Sequence, residues 1–206
     1  MAQIILDISA NTHSNDEAYY KRMIDELAKV DTHKHEVILK WQLFEEAGDN
    51  LPADTRLFYK MADWARTTHG YITTASVFDL ISLDDLVFIE ILFENYKLPF
   101  IKIANRRDLD WLIGEIPRKY KVYKSVGTSK EYLHENETPL FCVSEYPAPI
   151  SKYPARTTYL SDHTVGLELW HRNKPRIWEK HYKLPDSTGP DAGPFAITPS
   201  ELKEIL

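Results

Sequence analysis

The chain has 206 residues, 43% of them hydrophobic and 27% charged, with a net charge of −6 at neutral pH. That is enough for one well-cored globular domain, and the acidic balance argues against a general nucleic-acid binder, which would be basic. The single cysteine, Cys142, has no partner for an internal disulfide, which suits a reducing cytoplasm. No apolar run reaches the roughly 20 residues of a membrane span, and MAQIILDIS lacks the basic start and long apolar core of a secretion signal.

Residues 4–9 form a short apolar run, read as a buried strand. Residues 16–30 place Ala18, Met23, Ile24 and Leu27 at helical spacing, with Asn15 or Asp16 as cap. A strand at 35–44 (HEVILKWQLF), a helix at 52–69 and a β-rich strand at 71–75 follow. A strongly apolar helix at 82–96 is opened by the capping pattern Ser82-Leu83-Asp84-Asp85. Next come a strand at 100–104, a short helix at 107–115, a strand at 122–126 and, after a turn or a stub of helix, a strand at 140–144. Two last strands, at 157–160 and 176–179, flank a helix, and a helix at 199–206 closes the chain. The segments 146–149 and 185–194 are loops. Glu45 and Glu46 read as solvated, and His33 and His35 flank a strand at its entry. The aromatics of 82–97, with Trp64, Trp111 and Trp170, read as packing residues.

Some eight strands alternating with helices imply parallel pairing. The expected fold is α/β, a compact (β/α)8 TIM barrel with shortened helices and loops, as a single domain over 1–206. An open doubly wound sheet is the alternative.

In such a barrel the carboxyl ends of the strands build the site. Polar residues recur there: Asp7, Lys40 with Gln42, Ser76, Lys102 with Asn105, Ser125, Ser144 with Tyr146, Ser161 with His163, and His181. A lysine within an apolar strand such as VILKWQ or FIKIAN needs a partner, because an unpaired buried ammonium is costly. Either each lysine pairs with a neighbouring strand's carboxylate, or Lys40 and Lys102 with the hydroxyls bind a phosphate and a carboxylate. The stretch 159–182 ends one strand in Ser161-Asp162-His163 and the next in Glu179-Lys180-His181. Two neutral imidazoles so placed suit a divalent metal with positions left open for substrate; residue chemistry alone admits manganese, magnesium or zinc.

SDHTVG, WEKHY and GPDAGP, in that order, resemble the signature segments of the sialic acid synthases, the phosphoenolpyruvate-dependent N-acetylneuraminate synthases. The resemblance runs over nearly the whole chain, with shorter loops, and implies a barrel without the small C-terminal antifreeze-like domain of that family. It implies that Lys40, Ser76, Lys102 and Asn105 contact phosphoenolpyruvate, Asn105 replacing a serine. Ser125 and Ser161 match phosphate contacts, and Ser144, in a Cys-x-x-x-Tyr-Pro context with Tyr146, stands where a ligand-binding asparagine is found. Asp7 replaces a sugar-handling glutamate, Asn11 fits an asparagine, and Gln42 and Asp191 match residues near the sugar. Ala192 stands in place of a histidine. His163 and His181 match the ligands of a manganese or magnesium ion.

The implied activity is condensation of phosphoenolpyruvate with an N-acetylated aldose, such as N-acetylmannosamine, to a nonulosonic (sialic) acid with release of phosphate. The implied partners are these small molecules, with no nucleic acid and no membrane. Two other readings stand beside it. One is a diverged barrel that binds a phosphorylated ligand or a partner protein without completing the reaction. The other is a Schiff-base aldolase using Lys40 or Lys102.

Overall fold

Successive side chains of a strand face opposite sides, and this chain gives its two sides different work. In a computed structural model, which describes residues 1–9, 14–44, 53–127 and 136–206, eight parallel strands close into a barrel in chain order. They are β1 (Gln3–Asp7), β2 (Glu36–Leu43), β3 (Ile72–Val77), β4 (Ile101–Ile103), β5 (Val122–Val126), β6 (Glu137–Cys142), β7 (Tyr159–Asp162) and β8 (Ile177–His181). Six helices lie between or after them: α1 (Glu17–Ala28), α2 (Thr55–His69), α3 (Leu80–Leu92), α4 (Asp110–Glu115), α5 (Glu168–Asn173) and α6 (Pro199–Leu202). Among the described residues, β6 and β7 are joined with no more helix than a 3-10 turn at Ile150–Lys152.

Ile5, Ile38, Phe100, Tyr123 and Leu140 form one buried cluster, with Tyr159 and Ile177 packed against it. This plug fills the lower barrel, and within it the rings of Phe100 and Tyr123 stack 4.0 Å apart. The alternate residues, including Ile4, Leu6, Leu39, Trp41 and Trp178, join Met23, Leu27, Phe58 and Met61 of the helices in a second, larger core. Above the plug the inward positions change from apolar to ionisable, so the sequence alternation itself creates a polar chamber at the strands' carboxyl ends.

Local chemistry sets the element ends. The Asp16 side chain accepts from the backbone of Ala18 and Tyr19 at the start of α1, and Gly70, at φ +74°, ends α2 in the left-handed region that favours glycine. The apolar helix α3 starts two residues earlier than expected. Asp79, not Ser82, caps it: its carboxylate accepts from the Ser82 backbone at 2.6 Å while Ser82 Oγ accepts from the Asp79 backbone at 3.1 Å. It ends at Leu92 rather than at 96, where Phe93 turns extended. β6 lies at Glu137–Cys142 instead of 140–144, because its register against β5 begins with Val122 beside Glu137. The closing helix spans only Pro199–Leu202.

Two packing expectations fail. Trp111 is 53% exposed, since the six-residue α4 turns Leu112 and Ile113 to the core instead. Phe88 of α3 is 44% exposed, while Tyr96 is buried as expected. Trp170 does pack, edge-on against Trp178 at 5.1 Å. Glu45 and Glu46 lie outside the described residues. No helix among the described residues is long and apolar enough to cross a membrane.

Candidate active site

Parallel register sets the site's residues side by side. Asp7 is level with Lys40 on one flank and His181 on the other, Ser76 with Lys102, and Ser161 with both Cys142 and Glu179. Neighbours at one level face the same side of the sheet, so these side chains converge on the barrel axis.

Both lysines are buried and both find carboxylates. Lys40 Nζ lies 2.5 Å from Asp7 Oδ2 and 3.2 Å from Glu179 Oε1, and donates to Ser76 Oγ at 2.9 Å. Lys102 Nζ lies 3.1 Å from Glu179 Oε2 and donates to Ser125 Oγ at 2.8 Å and to the Ile103 carbonyl at 3.3 Å. Glu179 thus bridges the two ammonium groups. Burial alone would raise its pKa, but Lys102 and Lys40 outweigh that and bring it down to about 2. Burial likewise works against the charge on Lys40, and Asp7 with Glu179 reverses the balance, so its pKa is raised. Two cations and two anions leave this layer neutral, each lysine keeping a serine hydroxyl at its side.

The opposite wall carries the histidines. The His163 and His181 rings lie 5.6 Å apart between centroids. His163 Nδ1 lies 2.8 Å from the Val143 carbonyl; a carbonyl can only accept, so Nδ1 carries the proton and Nε2 keeps a free lone pair. Burial first, then His181, lowers the His163 pKa to about 3, so the ring is neutral. His181 Nδ1 is buried without a hydrogen bond, with Asp191 Oδ2 at 3.6 Å. Gln42 Nε2 donates to both Asp191 Oδ2, at 2.8 Å, and Asp7 Oδ2, at 3.1 Å. Burial raises the pKa of Asp191, with Asp7 adding to the effect and His181 opposing it.

Asp7, His181 and Asp191 each offer a donor atom, all within 4.8 Å of one another. These three make a mixed nitrogen and oxygen set of the kind that suits a divalent cation such as manganese, magnesium or zinc, and the His163 ring lies 5.6 Å from that of His181 beside them.

An aromatic lip covers the histidines. The Tyr146 ring lies 4.1 Å from His163 and 5.1 Å from Phe195, and Phe195 lies 5.1 Å from His181. Lys183 Nζ donates to the carbonyls of Ala192 at 3.0 Å and Gly193 at 2.9 Å, fastening the loop that carries Asp191 and Phe195.

Thirteen of the residues singled out from sequence line one cavity of about 600 Å³, within the size range of small-molecule sites. They are Asp7, Lys40, Gln42, Ser76, Lys102, Asn105 and Ser125 from the first five strands and their ends, then Ser144, Tyr146, Ser161, His163, His181 and Asp191. Asn105 donates to Ser144 Oγ at 2.9 Å across the rim. Asn11 lies outside the described residues. Glu179 and Phe195 also line the cavity, and sequence reasoning had not marked either. Strand periodicity alone could have found Glu179, two residues before His181 and therefore on the same face. Nothing local in the sequence marks Phe195.

The fold and site define a (β/α)8 barrel with an ionic, histidine-bearing pocket at the carboxyl ends of its strands. No protein-family model matches the sequence, and no curated protein matches it. Solved structures do share the fold. The N-acetylneuraminic acid (sialic acid) synthetase of Leptospira borgpetersenii serovar Hardjo-bovis, in complex with citrate, superposes with a TM-score of 0.72 at 23% identity, over 98% of this chain and 80% of that one. A spore coat polysaccharide biosynthesis protein E from Chromobacterium violaceum gives 0.76 at 18% identity, over 99% and 72%.

Proposed function

We propose that the protein is a synthase of the sialic acid type, joining phosphoenolpyruvate to an N-acetylated aldose, such as N-acetylmannosamine, to make a nonulosonic acid and free phosphate. The observation that carries this reading is the facing of two buried lysines, each with a serine hydroxyl, against two histidines and Asp191 across one cavity. An anionic substrate with two charged groups would meet Lys40 and Lys102, with Ser76, Ser125 and Ser161 as further donors. The sugar would lie on the side of Gln42, Asp191 and the Tyr146–Phe195 lip.

The enol carbon of phosphoenolpyruvate forms the new bond to the aldehyde carbon, whose oxygen takes up a proton. Water adds to the phosphate-bearing carbon, and cleavage of its bond to the phosphate oxygen leaves a ketone and inorganic phosphate. Asp7 and Asp191 orient the water and the sugar hydroxyls, while Lys40 and Lys102 offset the negative charge that phosphate carries away. His163 and His181 would hold a divalent cation, with Asp191 or Asp7 able to add an oxygen; when bound it supplies Lewis-acid polarisation of the aldehyde oxygen.

The test is phosphate release from phosphoenolpyruvate with manganese, across a panel of N-acetylated hexosamines. Release that depends on one sugar is the expected result and names the acceptor. No release, with thermal stabilisation by phosphoenolpyruvate alone, replaces the synthase with a binding module.

A further inference from the structure

The two histidines of the site are each preceded by a charged residue, and those two charges meet. Asp162 and Lys180 are register partners on β7 and β8, directly before His163 and His181 in sequence. Strand alternation sends the histidines into the cavity and their predecessors to the opposite, helix-facing side. There the Asp162 and Lys180 side chains are wholly buried, with Lys180 Nζ 3.4 Å from Asp162 Oδ2.

The pair does more than neutralise itself. Lys180 Nζ donates to the Thr164 carbonyl at 2.6 Å. Asp162 Oδ1 accepts from the Thr164 backbone at 2.7 Å, and Oδ2 from the Trp178 indole at 2.9 Å. The residue on each side of His163 is therefore tied to the strand that carries His181. A buried ion pair is a poor device for stability, because desolvation consumes most of the attraction. It is a good device for fixing register, since every donor and acceptor has one satisfactory place.

We propose that Asp162 and Lys180 are positioning residues that set the distance and orientation between the His163 and His181 rings. The inference rests on the proposed function only for the use made of the rings. A hydrophobic substitute would hold the two strands together and leave the turn at His163 without its tether to β8.

The variants are K180M and D162N/K180M, the second removing both charges so that no lone carboxylate stays buried. L86A, a core truncation in the distant α3, serves as a control of comparable stability loss. In protein freed of metal with a chelator, the ring signals of His163 and His181 are read by nitrogen–proton correlation NMR; manganese affinity is read separately by electron paramagnetic resonance. Both variants are expected to shift or broaden the two ring signals and, where manganese binds, to weaken it about 10- to 100-fold, while L86A does neither. Folded D162N/K180M with unchanged ring signals overturns the proposal. A wild-type protein that binds no manganese overturns the metal assignment under Proposed function and leaves the ring signals to decide this one.

Discussion

Glu179 and Lys40 lie 3.2 Å apart with both side chains almost fully buried, and the second carboxylate oxygen of Glu179 serves Lys102 in the same way. One carboxylate from the last strand thus holds two lysines from the second and fourth strands in place. Glu179→Gln removes half of the negative charge and leaves an excess cation in the barrel. Loss of one partner of a buried pair costs about 3–5 kcal/mol, and denaturant unfolding of E179Q is expected to show a loss of that size. Added phosphate or phosphoenolpyruvate should restore part of it, because an anion then replaces the missing charge. Equal stability of E179Q and wild type would show that the lysines need no such counter-charge.

The same group predicts an acid limit to stability. Its folded pKa of about 2 lies below the ordinary 4.5, so between these values the unfolded chain binds the proton and the folded chain does not. The contribution is complete above pH 4.5 and is lost as pH falls toward 2, at about 1.4 kcal/mol per pH unit. Chelator-treated wild type should show this slope in unfolding free energy below pH 4.5, and E179Q should show a shallower one. Parallel pH profiles would contradict the depressed pKa.

Lys102→Ala should abolish the thermal shift produced by phosphoenolpyruvate, under the synthase and the binding-module readings alike. It removes a buried ammonium 2.8 Å from Ser125 Oγ. A Schiff-base aldolase would instead leave a covalent adduct after borohydride reduction with a carbonyl substrate; its appearance on Lys40 or Lys102 would replace both readings. An undiminished thermal shift in K102A would move the anion site elsewhere.

How much of this was legible in the sequence depends on which force fixes each feature. The barrel was readable because apolar strands recur along the chain with helices between most of them, and helices such as α1 and α2 leave a periodic trace of buried residues. The two lysines were readable because an ammonium in an apolar strand demands a partner. The structure joins the two alternatives for Lys40, which takes Asp7 of the neighbouring β1 and also lines the cavity. Lys102 lines the cavity too, but its carboxylate, Glu179, comes from β8 across the barrel. Glu179 leaves no signal except strand alternation: it lies two residues before His181 in β8 and therefore shares its face. The bounds of β6 are set by pairing with β5, and the exposure of Trp111 follows from the shortness of α4; neither has a local signal. Phe195 reaches the site by a loop whose path depends on contacts with Lys183, which no periodicity announces.

His163→Ala and His181→Ala address the metal. With a neutral ring bound through Nδ1 to Val143 and an unpartnered Nδ1 on His181, each variant should retain its fold by circular dichroism and lose retained manganese after gel filtration. Full metal stoichiometry in both would refute the two-histidine assignment. Full stoichiometry in H163A with loss in H181A, D7N and D191N would shift the ion onto the Asp7, His181 and Asp191 set.

The aromatic lip gives a prediction about the acceptor. At Gly193 an added Cβ would fall 2.3 Å from the Phe195 ring, far inside van der Waals contact, so Gly193→Ala must displace Phe195. The ring's neighbours are Tyr146 and His181, so the displacement opens the wall assigned to the sugar and leaves Lys40 and Lys102 untouched. G193A is therefore expected to raise KM for the acceptor severalfold while the thermal shift by phosphoenolpyruvate stays at the wild-type value. Phe195→Leu, which shrinks the side chain without a clash, should act in the same direction. A change in phosphoenolpyruvate binding with acceptor KM unmoved would place the lip on the anion side and reverse the assignment of the two halves of the cavity.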